Sequence, residues 1–556
     1  MTPTSLSALI VSALRAAAAR GEIGALGEAE IPVEVSIDRP KNREHGDYAT
    51  NIALVLAKPA GVAPRAIAEL LVSALANSTD IAKVEVAGPG FLNITLAASA
   101  AGALCRTILS ELGSYGSSDR MAGTRVNLEF ISANPTGPLH LGHTRWAAVG
   151  DALGRVLTAV GAQVSREFYI NDRGVQMDLF GESIMAAAHG LPTPTDGYHG
   201  AYITELANEI VGSKPELLHL PESEQAVAFR EEGYLRQLAQ QQRVLDDFGT
   251  HFDVWFSERS LHASRAVENA FAKLREQGHV YEADGATWLR TTDFGDDKDR
   301  VLRKADGKLT YFVSDTAYYV DKRSRGFDIC IYLLGADHHG YLRRLKAFVA
   351  CAGDDPERNV EVLIGQMVKI IEGGQELKLS KRAGTIITLE DIVERVGVDA
   401  ARYTLIRYPV DTPMTMDVDL LTKRTNENPV FYVQYAHARI SGVLRNAIEV
   451  GVSVDLSVFD PALLSHERES DLLGVLGEFP RVVATAAELR EPHRIARYLE
   501  ELAGAYHRFY DACRVLPLGD EEIGPLHSAR AVLCASTRQV LQNGLALLGV
   551  SAPERM

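Results

Sequence analysis

Apolar and polar positions change rhythm several times along the chain, and each rhythm predicts an element. Leu6-Ser7-Ala8-Leu9-Ile10-Val11-Ser12-Ala13-Leu14-Arg15 places apolar residues at three- and four-residue steps, the pattern of an amphipathic helix. Ala87-Gly88-Pro89-Gly90-Phe91-Leu92-Asn93-Ile94 reads as a turn entering a strand. The alternation and β-branched ends of Val126-Asn127-Leu128-Glu129-Phe130-Ile131 predict a strand, and Leu141 to Val160 a helix. Two more apolar runs, Ile329 to Leu334 and Val362 to Val368, predict strands, the second entering a basic loop with glycines on both sides. Residues 186–295 read as one helical, polar insertion. Beyond Gly397 the pattern turns helical, and Leu444, Ile448, Leu472, Leu473, Leu476, Val482 and Val483 fall at mixed three- and four-residue steps.

At 556 residues the chain exceeds the roughly 250–300 over which one core normally grows, so several domains are expected. No internal repeat or low-complexity segment is evident, and no apolar run reaches membrane-spanning length. There is no basic n-region of a secretory leader, which predicts a cytoplasmic protein. Cys105, Cys330, Cys351, Cys513 and Cys534 show no paired spacing and several sit in apolar settings, as buried reduced thiols do.

Two segments carry the chemistry. In Ala133-Asn134-Pro135-Thr136-Gly137-Pro138-Leu139-His140-Leu141-Gly142-His143, a strand runs into a Pro/Gly turn and then a helix start. Unpaired N–H groups and the helix dipole favour phosphate there, and Gly142 lets a nucleotide approach the backbone. His140 and His143, spaced i, i+3, are expected to share a helix face and reach one triphosphate. Two satisfied or solvated histidines are the alternative. Lys378-Leu379-Ser380-Lys381-Arg382, inside the glycine-flanked basic loop, supplies ammonium groups on flexible stems that suit charge appearing in a transition state. Together the segments read as two halves of an ATP site that activates a carboxylate.

These motifs resemble the paired signatures of class I aminoacyl-tRNA synthetases. The surrounding text, with Glu129 to Pro135, Phe168 to Gly174, Gly397 to Tyr403, Glu44 to Asn51 and Tyr432 to Arg439, resembles the arginyl-tRNA synthetase family along nearly the whole chain. The resemblance implies a multidomain α/β protein. Its Rossmann-like, doubly wound parallel-sheet catalytic domain is expected at 111–385 with the insertion at about 186–295. An α+β N-terminal domain contacting the tRNA elbow is expected at 1–110, a connecting stem at 386–425 and an all-α anticodon-binding bundle at 426–556.

It further implies arginine activation by ATP with Mg²⁺ and transfer to tRNA(Arg), with His140, His143, Lys378 and Lys381 as catalytic donors. ATP contacts are implied at Pro135, Gly142, Gly335, Asp337, His338, Met367, Val368 and Ser380. Arginine contacts are implied at Glu129, Ser132, Asn134, Tyr311 and Asp315, with Glu129 on the α-amino group and Tyr311 and Asp315 on the guanidinium. A core tyrosine and a helix N-cap are the alternatives at 311 and 315. Asn93, Tyr435, His437 and Arg439 are candidate tRNA contacts. Relatives that lack the first lysine of the second signature carry one three residues ahead of the first histidine; this chain has Gly137 there, keeps Lys378, and ends the signature with Arg382.

No zinc is expected, since no cysteine or histidine pairs have the spacing. That argues against a cysteinyl-type synthetase. A small-molecule nucleotidyltransferase would leave the terminal domains unexplained, and a non-catalytic tRNA-binding paralogue would be expected to have lost His140, His143 or Lys381. The net charge of −16 requires local basic surface for RNA. Candidates are Lys298 to Lys308 with Arg300 and Arg303, Lys322-Arg323-Ser324-Arg325, and Arg343-Arg344-Leu345-Lys346. A monomer that binds neither DNA nor membrane completes the expectation.

Overall fold

The computed structural model describes residues 1–336, 340–377 and 387–556, with Arg43 and Tyr311 as backbone only. Lys378, Ser380, Lys381, Asp337 and His338 lie outside the described residues. The first unit comprises α1 (Pro3–Ala19), β1 (Tyr48–Thr50), α2 (Ile52–Ala60), α3 (Pro64–Leu75), β2 (Ile81–Ala87) and β3 (Phe91–Leu96). Leu6, Ile10 and Leu14 of α1 are fully buried, as their spacing predicts. The strands form an antiparallel sheet in the order β1-β3-β2, and the unit has a hydrophobic core of its own. Helix α4 (Ala98–Glu111) leads out of it.

The central unit is built on β4 (Arg125–Glu129), α5 (Leu141–Ala159), β5 (Gln163–Ile170), α6 (Val175–Ala188), α7 (Ala201–Ser213), α8 (Glu222–Asp247) and β6 (Val254–Ser257). After α9 (Glu258–Ala263) and α10 (Ala266–Glu276) come β7 (Val280–Ala283), β8 (Ala286–Leu289) and β9 (Arg300–Arg303). Then follow α11 (Tyr311–Ser324), β10 (Ile329–Gly335), α12 (Tyr341–Cys351), β11 (Val360–Gly365), β12 (Val368–Glu372) and β13 (Gln375–Glu376). The main sheet has the order β11-β10-β4-β5-β6 and every neighbouring pair is parallel. Chain order therefore reverses between β4 and β10, and the crevice at their C-terminal ends is where a doubly wound sheet binds ligands.

Two expectations need correction. The stretch 186–295 is not one insertion: β6 pairs in parallel with β5 and rejoins the main sheet. It splits the stretch into the helices α7 and α8 and a second excursion with the antiparallel sheet β7-β8-β9. Polar composition hid this strand, because Val254-Trp255-Phe256-Ser257 is too short to show a period. The run Val362 to Val368 is two strands in two sheets. It breaks at Gln366, whose N–H bonds Val410 O rather than a sheet neighbour.

The stem carries α13 (Leu389–Val396), α14 (Val398–Ile406), β14 (Met414–Asp417) and α15 (Val418–Leu421); β14 joins β12 and β13 in a small sheet. Four long helices close the chain: α16 (Pro429–Val450), α17 (Glu467–Glu488), α18 (His493–Ala512) and α19 (Pro525–Leu548). Leu444, Leu472, Leu473, Leu476 and Val483 pack in their core, whereas Ile448, at the same helical steps, is 71% exposed. This core is continuous with that of the main sheet. Buried Arg402 ties the units together, donating from α14 to Asp151 of α5 at 2.5 Å and to carbonyls of Phe248 and Leu548.

Candidate active site

The site begins where β4 ends. Glu129 is the last residue of the strand, and the next two turn residues, Ile131 (φ 68°) and Ser132 (φ 45°), both adopt the left-handed conformation. Such backbone costs roughly 1–3 kcal/mol per residue and persists only where the surroundings enforce it. Here it aims Ser132 Oγ at two elements at once. The hydroxyl donates to Glu129 Oε1 at 3.1 Å and accepts from the N–H of Tyr169 on β5 at 3.1 Å.

Asn134 donates to Gln176 at 2.7 Å, and the turn that follows is held from above by the inserted helices. Gln241 of α8 donates to the carbonyls of Asn134 (3.1 Å) and Gly137 (2.8 Å), and Tyr202 of α7 donates to that of Thr136 (3.1 Å). Pro135 is buried beneath them. His140 does not lie on the helix; it is the N-cap of α5, and its Nδ1 accepts from the N–H of Gly142 at 3.1 Å. His143 returns the interaction, its Nδ1 accepting from the N–H of His140 at 3.3 Å, so that two histidines form a capping box. The rings lie 4.0 Å apart. With both Nδ1 atoms acting as acceptors, the proton of each neutral ring is assigned to Nε2, which gives two donors at a helix N-terminus.

Leu141 N–H donates to Ile387 O at 3.1 Å and Leu389 N–H to Leu139 O at 2.9 Å, so residues 387–389 are fastened to the histidine turn. Leu377 N–H bonds Ile370 O at 2.9 Å. Gly335, the end of β10, lies opposite Gly365 of β11. A Cβ at 365 would come within 2.4 Å of the Trp146 ring, which requires glycine there. Met367 has a 72% exposed side chain and its carbonyl accepts from Met414 N–H, while Val368 opens β12.

Arg145 escaped the sequence reading. Buried two residues beyond the histidines, it donates to the carbonyls of Gln366 (3.1 Å), Pro409 (2.7 Å) and Thr412 (2.9 Å), fastening α5 both to the crossing from β11 to β12 and to the loop between Ile406 and Met414. Burial brings its guanidinium down to about 10. An arginine before the apolar run Trp146-Ala147-Ala148-Val149 was the available signal.

Beside Glu129 the sheet end gathers further carboxylates. Asp315 is inside α11, which excludes the N-cap alternative, since Thr310 is the N-cap. Tyr311 opens that helix four residues earlier. Burial pushes the Asp315 carboxyl up to about 7; a hydrogen bond from Tyr341 opposes this and the charge of Glu258 adds to it. Glu258, the first residue of α9, was also missed. It is buried, and burial raises its carboxyl although Ser314 and Tyr169 hydrogen-bond to it and Arg173 lies near. Tyr169 senses the whole group: burial raises its phenol first, then the charges of Glu258, Asp315 and Glu129. Three carboxylates thus gather round one tyrosine, an acidic cluster of the kind that attracts a cation. Glu258 lies more than 120 residues from Glu129 in sequence, and only β6 brings it there.

Other expectations change. His437 is buried, with Nδ1 bonded to Pro553 O at 2.9 Å, so it anchors the C-terminal tail and is no surface contact for RNA. Tyr435 is exposed and stacks on Phe431 and His507, with the Arg439 guanidinium 4.3 Å above Tyr510. Asn93 is half-buried on β3, the central strand of its sheet, opposite Ala49 and Glu85. The Lys322-Arg323-Ser324-Arg325 patch is not a basic surface. Lys322 is fully buried on Glu129, Arg323 pairs with Asp354 and Arg325 with Glu167. Burial alone would raise Glu167, but the Arg325 hydrogen bond holds it below the usual range. Arg300 is taken up by Asp296 and Asp297, and Lys346 by Glu357; Arg343 is exposed. All five cysteines are buried and free. Among the described residues no cluster of His, Cys, Asp or Glu could hold a metal ion, and no helix is long and apolar enough to cross a membrane.

A sheet with this strand order, a histidine capping box at the N-terminus of α5 and residues 387–389 paired to the histidine turn accord with a class I aminoacyl-tRNA synthetase. Residues 106–188 and 223–419 match the family model described as tRNA synthetases class I (R), catalytic domain. The flanks narrow this further. Residues 4–96 match the arginyl tRNA synthetase N terminal domain and 433–556 the DALR anticodon binding domain. The chain is 58% identical to the arginine–tRNA ligase of Frankia alni and 56% identical to that of Kineococcus radiotolerans, each over 100% of both chains. Its fold matches the Thermus thermophilus arginyl-tRNA synthetase with a TM-score of 0.76 at 23% identity, covering 99% of both chains. The chain belongs to the arginyl-tRNA synthetase family.

Proposed function

We propose a residue-level account of how this arginine–tRNA ligase works. The arginine carboxylate attacks the α-phosphorus of ATP, the bond to the β-phosphate oxygen breaks, and arginyl-adenylate and pyrophosphate result. A hydroxyl of the 3′-terminal ribose of tRNA(Arg) then attacks the acyl carbon and AMP leaves. The protein needs no nucleophile of its own; its work is positioning and charge stabilisation of an in-line displacement.

Glu129 takes the α-ammonium with Ser132 beside it, Asn134 lies near the substrate carboxylate, and Asp315 with Tyr311 and Glu258 takes the guanidinium. His140 and His143 donate through Nε2 to phosphate oxygens at the N-terminus of α5. Lys378 and Lys381 follow the charge as pyrophosphate departs, with Ser380 near the phosphates. Pro135 and Gly142 leave room for the nucleotide, Gly335, Asp337 and His338 border the ribose, and Met367 and Val368 meet the adenine. Mg²⁺ enters on the triphosphate, whose oxygens are its hard ligands, and neutralises charge there. The units at 1–110 and 426–556 hold the elbow and anticodon of the tRNA, with Asn93, Tyr435 and Arg439 as contacts. A monomer acting in the cytoplasm suffices, because one chain supplies every group.

The observation that carries this reading is the cluster of Glu129, Glu258 and Asp315 round Tyr169 at the end of the main sheet. A guanidinium and an ammonium on one molecule satisfy three acids, and lysine cannot present a planar fork to Asp315 and Glu258. Arginine-dependent ATP–pyrophosphate exchange, with and without tRNA and with lysine beside arginine, tests it. Exchange with arginine but not lysine is expected; equal exchange with both would overturn the pocket assignment.

A further inference from the structure

Lys322 is a cation at the site to which the reaction as written gives no part. It projects from α11 on the face of Asp315 and Tyr318, at steps of three and four residues. Its side chain is fully buried, with Nζ 2.5 Å from Glu129 Oε2 and packed over the rings of Tyr332 (3.9 Å) and Tyr318 (4.3 Å). Burying an ammonium is costly unless a counter-charge and good geometry offset it, and here one carboxylate and two ring faces do so. The neighbouring acid Glu167 feels the charge of Lys322 through space, but its direct bonds go elsewhere. Glu167 has Arg325, Tyr318 and Asn127 as direct partners.

We propose that Lys322 is a positioning residue for substrate arginine, acting through Glu129. The inference rests on the assignment of Glu129 to the α-ammonium. Lys322 fixes Oε2 and Ser132 fixes Oε1, so the carboxylate has one orientation. Each oxygen keeps a second lone pair, and those lone pairs define where the α-ammonium sits. Lys322 also sets the charge of the empty pocket. Its ammonium offsets the charge of Glu129 in a group that also holds Glu258 and Asp315. Without Lys322, Glu129 would lose its main anchor inside a group of like charges and would no longer be held for the substrate.

The test separates ligands that carry the α-amino group from one that does not. In Lys322→Met, the KM for arginine in ATP–pyrophosphate exchange should rise about 30-fold or more, with a smaller fall in kcat, as when one partner of a buried charge pair is removed. Inhibition by 5-guanidinopentanoic acid, which is arginine without its α-amino group, should change less than about 3-fold. Glu129→Gln should discriminate in the same way, and adding Lys322→Met to Glu129→Gln should cost little more. The double variant carries no uncompensated buried charge, so it reads the coupling even if the single variant folds poorly. If Lys322→Met weakens both ligands equally, or its effect multiplies fully with that of Glu129→Gln, the inference is overturned and Lys322 only supports the core. If Glu129→Gln itself fails to discriminate, the assignment of Glu129 falls and takes the inference with it.

Discussion

Binding of arginine should expel a proton, and the magnitude follows from Asp315. In the empty pocket burial holds this carboxyl up at about 7, with Glu258 and Glu129 adding to the effect and Tyr341 and Arg344 opposing it. A guanidinium needs the ionised form. With a value of about 7, roughly 3% of Asp315 is ionised at pH 5.5 and roughly 90% at pH 8, so arginine affinity should improve about 30-fold across that range. At pH 6.5 Asp315 alone should release about three-quarters of a proton per arginine bound. Calorimetric titration of arginine in buffer pairs of unlike ionisation enthalpy measures both quantities.

The folded value lies above the unfolded one, so the contribution of Asp315 to stability is full below pH ~4 and is lost as pH rises through about 7. Stabilisation by added arginine should therefore grow with pH over the same window. Asp315→Asn should bind arginine weakly and without most of the pH dependence. An affinity constant within about 3-fold from pH 5.5 to 8, with no proton release, would refute the buried-carboxylate reasoning.

Four further outcomes are expected. His143→Asn should cut arginine-dependent exchange by about 10²-fold with little change in melting temperature; unchanged turnover would remove His143 from the chemistry. Arg402→Met should lose about 3–5 kcal/mol in denaturant unfolding, because buried Asp151 keeps only the partly exposed Arg155 and the longer contact to Arg166, and the carbonyls of Phe248, Gly249 and Leu548 lose a donor. Gly150→Ala should destabilise by about 1–3 kcal/mol, since its Cβ would meet the buried Phe130 ring at 2.3 Å; wild-type stability would show that the ring can move. His437→Ala should lower stability and leave tRNA affinity at constant salt nearly unchanged, whereas Tyr435→Ala should weaken tRNA binding by about 1–3 kcal/mol, the worth of one base stack. The reverse order would place His437 at the RNA surface.

What the sequence determined by itself was local. The strand ending at Glu129, the turn and the helix from Leu141 were legible because residue type, period and turn chemistry all act within a few positions. The buried thiols were legible for the same reason. Chain folding over distance was not. That His140 caps α5 instead of riding on it, that β6 returns to the sheet from within a polar stretch, and that residues 387–389 pair with 139–141 depend on backbone hydrogen bonds chosen among many possible partners. Charge was read least well. Lys322, Arg323 and Arg325 look like a basic surface in one dimension, yet each meets a carboxylate 31 to 193 residues away. Glu258 and Arg145 gave almost no local signal, and His437 gave a misleading one. An ionisable group's role is set by what desolvates it and by the charge brought opposite, and only the tertiary structure supplies both.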